Sequence, residues 1–455
     1  VERAVSVLVL GLWLSFAARF DTIRREATPE ELYRILYDLP KGGDLHDHLG
    51  GAVFPDLWWR LATGGGDFYT RVRFGECASS CPAPLLEFHT VRVSTWNGLS
   101  SCCRAEYEPL SELDAEEKRA WMSALKLDHP DEGREEFFEV IWPRLNEVID
   151  QAPIIAESAV ENLKLFAHEG VSYVEFQLSP FGRRMGDREL SPDEFHQLLA
   201  ERLARDDAKA TGVTVRMQTN VLRFHPDAER MVEESWAFVD RNRELWVSVN
   251  LVGREDNDKG YPLRFLETFR EMRRRYPRIG LAIHGGEVDG PNHNVRDTLL
   301  LGADRIGHGT NLVTDPETLL LMRTGKWPVE VSLVSNRLLE YAEDLSLHPF
   351  PELLRVGVPV SISTDDRGMW DSNMTDEWFE AVTHFNLSWE EVQELGRNSL
   401  KFAFVPDEVK TELLERYERD LAAFALRYGG DDWREAAAGV EAHPSGYARR
   451  YLLSR

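Results

Sequence analysis

Four short motifs in this chain hold the residue types that activate water. They are His46-Asp47-His48, Ile283-His284-Gly285-Gly286-Glu287, Arg305-Ile306-Gly307-His308-Gly309 and Ser363-Thr364-Asp365-Asp366. In an extended strand alternate side chains share a face, so His46 and His48 point together and Asp47 points away, toward a structural role. Three imidazoles and one carboxylate drawn from such a set suit Zn²⁺ and leave a coordination position for water. A lone H-x-H is weak evidence, and each residue taken singly is more often structural. Four motifs, each closing a strand at the same end of a fold, outweigh that reading.

The elements that must carry these residues are legible as alternating short β-branched runs and amphipathic stretches. Strands are predicted at Gly43 to Leu49, Val171 to Leu178, Thr214 to Leu222, Leu245 to Val252, Ile279 to His284, Arg305 to Gly309, Val329 to Leu333 and Val358 to Ser363. Helices are predicted between them, including Ala228–Arg241, Leu263–Tyr276 and Val295–Leu301. Eight βα units imply a parallel sheet closed as a (β/α)₈ TIM barrel, whose active face lies at the C-terminal ends of the strands. The wide interval after the first strand reads as an insertion over about residues 62–135, followed by a helical stretch over about 136–169. The tail after Asn398 reads as helical.

The composition fits a large folded core: 455 residues, 43% hydrophobic and 10% aromatic. With 53 basic and 78 acidic residues the net charge is −25, and without a run of Lys and Arg this argues against a nucleic-acid partner. Neither a phosphate-binding G-x-x-x-x-G-K-[ST] nor a nucleophile-elbow G-x-S-x-G is present. Residues 1–17 read as a signal peptide: an apolar run from Ala4 to Leu14, too short to span a bilayer, then Ser15 and Ala17 before a cleavage point. This predicts export to a periplasmic or extracellular space with no stable membrane anchor after processing; without cleavage the location is cytoplasmic. Residues 18–455 then form the barrel domain. The four cysteines, Cys77, Cys81, Cys102 and Cys103, all fall within the insertion and read as a local disulfide staple whose pairing stays open. A zinc knuckle lacks its usual spacing, because Cys102 and Cys103 are adjacent.

The segments Pro40 to Ala52 (PKGGDLHDHLGGA), HGGE, RIGHGTNL and STDD, taken together and in this order, resemble the adenosine deaminase family of metal-dependent amidohydrolases. The likeness runs from about Pro40 to Phe404. The PKGG opening and the insertion are similar to the exported, growth-factor-like branch and its bacterial relatives. The resemblance implies one Zn²⁺ per chain, held by His46, His48, His284 and Asp365. Glu287 would protonate the purine N1, His308 would orient and deprotonate the zinc-bound water, and Asp366 would bond N7. Gly253 matches the glycine whose backbone N–H approaches N3. The implied reaction is hydrolytic deamination of adenosine or 2′-deoxyadenosine to the inosine form and ammonia, a purine nucleoside being the small-molecule partner. A homodimer is left open.

The chain departs from the family pattern at three places. Gly50 stands where many nucleoside deaminases carry a ribose-gripping aspartate, Arg254 follows Gly253 where an acid is common, and Glu330 to Asn336 replaces a more common Cys-Pro-Thr-Ser-Asn. These leave the sugar end of the substrate open and point to the insertion for missing contacts. The alternatives are a deaminase of adenine, AMP or a modified adenine nucleoside, another amidohydrolase cleaving an amide or ester, and a non-catalytic extracellular binding protein. His293 and His348 read as loop-stabilising, His225 as a minor candidate for substrate contact, Trp58, Trp59 and Trp370 as packing, and Arg183-Arg184 as a solvated loop.

Overall fold

The computed structural model describes residues 16–454 apart from positions 66, 76, 78, 79, 257, 258 and 343. Eight parallel strands form one sheet in sequential order: β1 (Gly42–His48), β2 (Val171–Gln177), β3 (Thr214–Leu222), β4 (Trp246–Val252), β5 (Gly280–Gly285), β6 (Arg305–His308), β7 (Val329–Val331) and β8 (Val360–Ile362). Each matches a predicted strand to within a few residues. Helices cover the outer face, so strands such as β2 are buried along their whole length, as parallel barrel strands must be.

The barrel closes between its first and last strands just past β8. Asp47 and Asp365 form a parallel bridge, His48 N–H donates to Asp365 O (3.0 Å) and Asp365 N–H donates to His46 O (2.9 Å). Thr364 reinforces the seam, its N–H and Oγ1–H donating to Asp44 Oδ2 at 3.1 and 2.6 Å.

The PKGG opening sets the position of β1. Lys41 Nζ is buried and donates to Leu36 O, Leu39 O and Glu169 O at 2.5–3.2 Å, so it satisfies carbonyls at the C-terminal ends of helices Pro29–Asp38 and Ala152–His168. Burial pulls its pKa down to about 7. Gly42 has φ +80°, and a Cβ there would lie 2.5 Å from Gly396 O, so the residue after Lys41 must be glycine.

The insertion carries a three-stranded antiparallel sheet with Phe68–Arg71 between Thr90–Arg92 and Tyr107–Pro109. Two disulfides tie it, Cys77–Cys102 and Cys81–Cys103, with Cα atoms 5.8 and 5.6 Å apart. The adjacent Cys102 and Cys103 sit on the helical turn Ser101–Arg104, which aims them in different directions and gives each its own partner. The predicted start at 62 falls inside helix Pro55–Gly65. The helical stretch predicted at 136–169 is broken into Arg134–Glu136, a π-helical turn Phe137–Ile141, Trp142–Ile149 and Ala152–His168. Pro143 explains the wide turn: with no N–H it cannot close a bond to the carbonyl four residues back.

Of the predicted signal peptide, residues 1–15 lie outside the described residues. Phe16 is buried in the core, its ring 4.7 Å from that of Trp389. The tail is helical at Asp407–Tyr428 and Trp433–Ala438, as predicted.

Candidate active site

The four predicted metal ligands converge at the C-terminal mouth of the barrel. One ligand atom from each of His46, His48, His284 and Asp365 can be chosen so that all lie within 4.8 Å of one another. His48 Nε2 lies 3.1 Å from His284 Nε2 and 3.3 Å from Asp365 Oδ1, and His46 Nε2 lies 3.5 Å from Asp365 Oδ1. Two of the rings are oriented from behind. His46 Nδ1 is 2.9 Å from Glu330 Oε2, and His284 Nδ1 is 3.0 Å from Asn250 Oδ1. Both acceptors take the Nδ1 hydrogen, which leaves the two Nε2 lone pairs directed inward, the arrangement by which carboxylates and amides fix metal-binding imidazoles. His46 Nε2 is buried without a hydrogen-bond partner. Lone pairs and a carboxylate gathered so closely repel one another unless a cation lies among them, so the donor set fits a divalent metal with N and O preference.

The charges agree. Burial lowers His48 to about 4 and drives His284 well below its ordinary value, so both are neutral as ligands must be. Burial also disfavours charge on His46, but the neighbouring carboxylates of Asp365 and Glu330 outweigh it and push the ring up to about 10; a cation at Nε2 takes that proton's place. Glu330 is itself held by Arg305, whose guanidinium pairs at 2.5 Å with Glu330 and at 2.6 Å with Glu175 inside the barrel.

Glu287 follows Gly286, whose φ of +83° turns the chain back toward the cavity. Glu255 fixes that turn by accepting from Gly286 N–H (3.1 Å) and Glu287 N–H (3.2 Å). Burial, then Asp365 and Glu255, push the Glu287 carboxyl well above the ordinary range, which favours its protonated form. Asp366 is raised in the same way by burial and by the charges of Asp365 and Asp47, and its Oδ1 has no hydrogen-bond partner among the described residues. His308 and Asp365 hold left-handed backbone conformations, φ +63° and +60°, that non-glycine residues adopt rarely and chiefly where function demands it. His308 Nδ1 lies 3.5 Å from Glu287 Oε1.

These residues face a cavity of about 590 Å³. Its floor includes His48, His284, Glu287, His308, Asp365 and Asp366, and Gly253 lines one wall. The opposite wall comes from Phe137, Phe138, Glu139, Trp142, Pro143 and Asn146. None of the described residues of the 62–135 insertion lines the cavity; this part of its lining comes from the π-helical turn and helix just after the insertion. Gly50 abuts this wall: a Cβ there would lie 3.1 Å from Trp142 Cζ3, so the indole occupies the side on which the ribose-gripping aspartate was expected. Arg254, at the rim, pairs with Glu135 (2.6 Å) and Asp256 (2.7 Å).

A family sequence profile described as adenosine deaminase matches residues 112–419. The chain belongs to the adenosine deaminase family. The chain is 28% identical over 264 residues to the adenosine deaminase of Enterococcus faecalis, covering 58% of this chain and 75% of that one. It is 24% identical over 422 residues to adenosine deaminase 2-A of Danio rerio, covering 87% and 82%. Its fold is similar to those of an adenine deaminase from Arthrobacter aurescens (TM-score 0.63, 20% identity, 84% of this chain and 99% of that one) and of an amidohydrolase from Burkholderia ambifaria with bound Zn (TM-score 0.63, 19% identity, 87% and 94%). The metal dependence of the family and the His/Asp cluster agree.

Other expectations divide. Trp58 and Trp370 are buried packing residues, and Trp59 packs on Trp121. His293 is an exposed loop residue 3.4 Å from Asp315. His225 Nδ1 accepts from Asp227 N–H and does not line the cavity. Arg183 is not in a solvated loop: it is buried and donates to Ile149 O (2.7 Å) and Ser179 O (2.8 Å). Leu333 stands where the common motif has proline, and its N–H donates to Glu377 Oε2 (2.7 Å), a bond proline cannot make. Glu255, Glu330 and Asn250 were not singled out as site residues, although each sits within or beside a quoted motif.

Proposed function

We propose that this protein is a zinc-dependent deaminase that converts adenosine or 2′-deoxyadenosine to the inosine form and ammonia. The observation that carries this reading is the placement of the buried Glu287 carboxyl three residues beyond His284, beside the His46, His48, His284 and Asp365 cluster. Zn²⁺ held by those four residues would supply the Lewis acid that makes water nucleophilic near neutral pH.

The remaining work falls to the chain. Glu287 donates its proton to N1, which draws electron density from C6 and opens it to attack. Asp366, whose carboxyl burial pushes upward, would donate to N7, an acceptor that an ionised carboxylate would repel. Gly253 brings its N–H to N3, and at φ +88° a side chain there would collide with Phe224. His308 orients the attacking water. Of the water's two protons one passes to the amino group and the other restores Glu287, as the tetrahedral C6 expels ammonia and becomes a carbonyl. The lid residues Phe137, Phe138 and Trp142 exclude bulk water and offer aromatic faces to the base.

A second reading is a deaminase of adenine or of a modified adenine nucleoside. It is favoured by Gly50 and Trp142, which leave no carboxylate for the ribose. AMP is less well served, since Arg254 among the described lining residues is already paired with two carboxylates. The complete acid, metal and purine-binding set argues against a pure binding scaffold. Export fits the two disulfides and the likeness to adenosine deaminase 2-A; among the described residues no helix is long and apolar enough to cross a membrane.

The test is loss of adenine ultraviolet absorbance with zinc-loaded protein on adenosine, 2′-deoxyadenosine, adenine and AMP, with Glu287→Gln as the blank. Turnover of the two nucleosides alone supports the first reading. Turnover of adenine or AMP moves the substrate, and silence with zinc bound sinks both.

A further inference from the structure

His308 is held from behind by a chain of three hydrogen bonds that begins at a backbone amide. Phe350 N–H donates to His348 Nδ1 (3.0 Å), His348 Nε2 lies 3.1 Å from Asn336 Oδ1, and Asn336 Nδ2 lies 3.3 Å from His308 Nδ1. Asn336 lies on helix Leu333–Leu338 after β7, and His348 precedes helix Phe350–Val356. All three side chains are buried, so water does not compete for these bonds.

The first bond dictates the others. A backbone N–H can only donate, so His348 Nδ1 accepts and the single hydrogen of the neutral ring sits on Nε2. Burial lowers His348 to about 3, which keeps it neutral across the physiological range. His348 Nε2–H therefore donates to Asn336 Oδ1, and the amide presents its NH₂ to His308 Nδ1. The reverse orientation would bring the Asn336 NH₂ against the Nε2–H of His348, donor against donor. His308 Nδ1 accepts, and the hydrogen of the neutral His308 ring sits on Nε2, which is buried and has no hydrogen-bond partner among the described residues.

We propose that Asn336 and His348 are positioning residues that lock His308 in its Nε2–H form, so that His308 meets the attacking oxygen as a hydrogen-bond donor and not as a base. The identity of that oxygen rests on the proposed deaminase reading; the tautomer does not. Of the two roles the family resemblance gives His308, orienting the water and taking its proton, only the first suits this form. The lock also withholds an N–H from Glu287 Oε1, 3.5 Å from Nδ1.

The test is Asn336→Asp, which preserves shape but puts an acceptor against each ring. Wild-type zinc-loaded protein labelled with ¹⁵N-histidine should show a His308 protonated at Nε2, its signals assigned by their loss in His308→Asn. In Asn336→Asp the hydrogen should move to Nδ1. kcat should fall by about 10²-fold or more, toward the ~10⁴-fold that a wrong imidazole tautomer costs in a catalytic triad, while KM and zinc content stay within twofold. His348→Leu should lose kcat similarly, and His348→Gln, whose amide N–H can replace Nε2–H, should recover most of it. A wild-type His308 protonated at Nδ1 overturns the proposal, as does an Asn336→Asp variant with wild-type kcat. Because the wild-type tautomer is read directly, a variant that fails to fold does not rescue the idea. Absence of deaminase activity in the wild type sinks the proposed function and leaves the tautomer result standing.

Discussion

Gly51 and Asp366 interlock: a Cβ on Gly51 would lie 1.6 Å from Asp366 Oδ1. The glycine exists to make room for a carboxyl group that has no hydrogen-bond partner on that oxygen among the described residues. Gly51→Ala should therefore swing Asp366 out of place while leaving the fold and metal intact. We expect kcat/KM to fall by about 10²-fold or more, matching Asp366→Ala, with an unchanged circular dichroism spectrum. Wild-type kinetics in Gly51→Ala would remove Asp366 from the substrate site.

Glu287 and His284 separate chemistry from metal. Glu287→Gln should keep zinc and lose about 10²–10⁴-fold in kcat, the range for loss of a general acid. His284→Ala should lose zinc and turnover together. Zinc content by elemental analysis beside kcat distinguishes them, and a fully active Glu287→Gln would show that another group protonates the base.

Metal should act as a stabilising ligand, since its donors come from three strand ends that the unfolded chain scatters. Zinc at a thousand times its Kd stabilises by about 4 kcal/mol. Chelation should lower Tm by several degrees and restored zinc should return it. An identical Tm with and without chelator would mean the cluster is not a metal site.

His348 makes stability pH-dependent. In the unfolded chain it binds a proton below its ordinary value of 6.5, whereas the folded protein, with the ring at about 3, does not. Its contribution is complete above pH 6.5 and is lost as pH falls toward 3, with a limiting slope of about 1.4 kcal/mol per pH unit. Urea unfolding of chelated protein should show a smaller loss between pH 7.5 and 5 for His348→Gln than for the wild type. Equal losses would place the ring in water.

Much of this was legible from the chain because βα alternation is periodic and because His46, His48, His284, Glu287, His308, Asp365 and Asp366 sit in short motifs at strand ends. The lid was not: Pro143 sits in an otherwise helical pattern, so the π-helical turn that shapes the cavity wall reads as continuous helix adjoining the insertion. Arg183 looked solvated because its carbonyl partners, Ile149 O and Ser179 O, are brought to it by the fold and leave no mark in sequence. The cysteine pairing likewise depends on where helix Ser101–Arg104 aims two adjacent residues. Asn336 and His348 are single residues whose meaning lies in a hydrogen-bond direction, which spacing alone does not encode.

The seam of the barrel has a consequence for when the protein can first hold its metal. Thr364 and Asp44, which bond across that seam, are 320 positions apart, and His46 and Asp365 lie beside them. The last donor is made more than 300 residues after the first, and the partners of the first strand across the seam arrive with it, whereas its other neighbour, β2, is made far earlier. Capture by the full donor set thus waits for Asp365, and a chain arrested before it lacks the fourth donor.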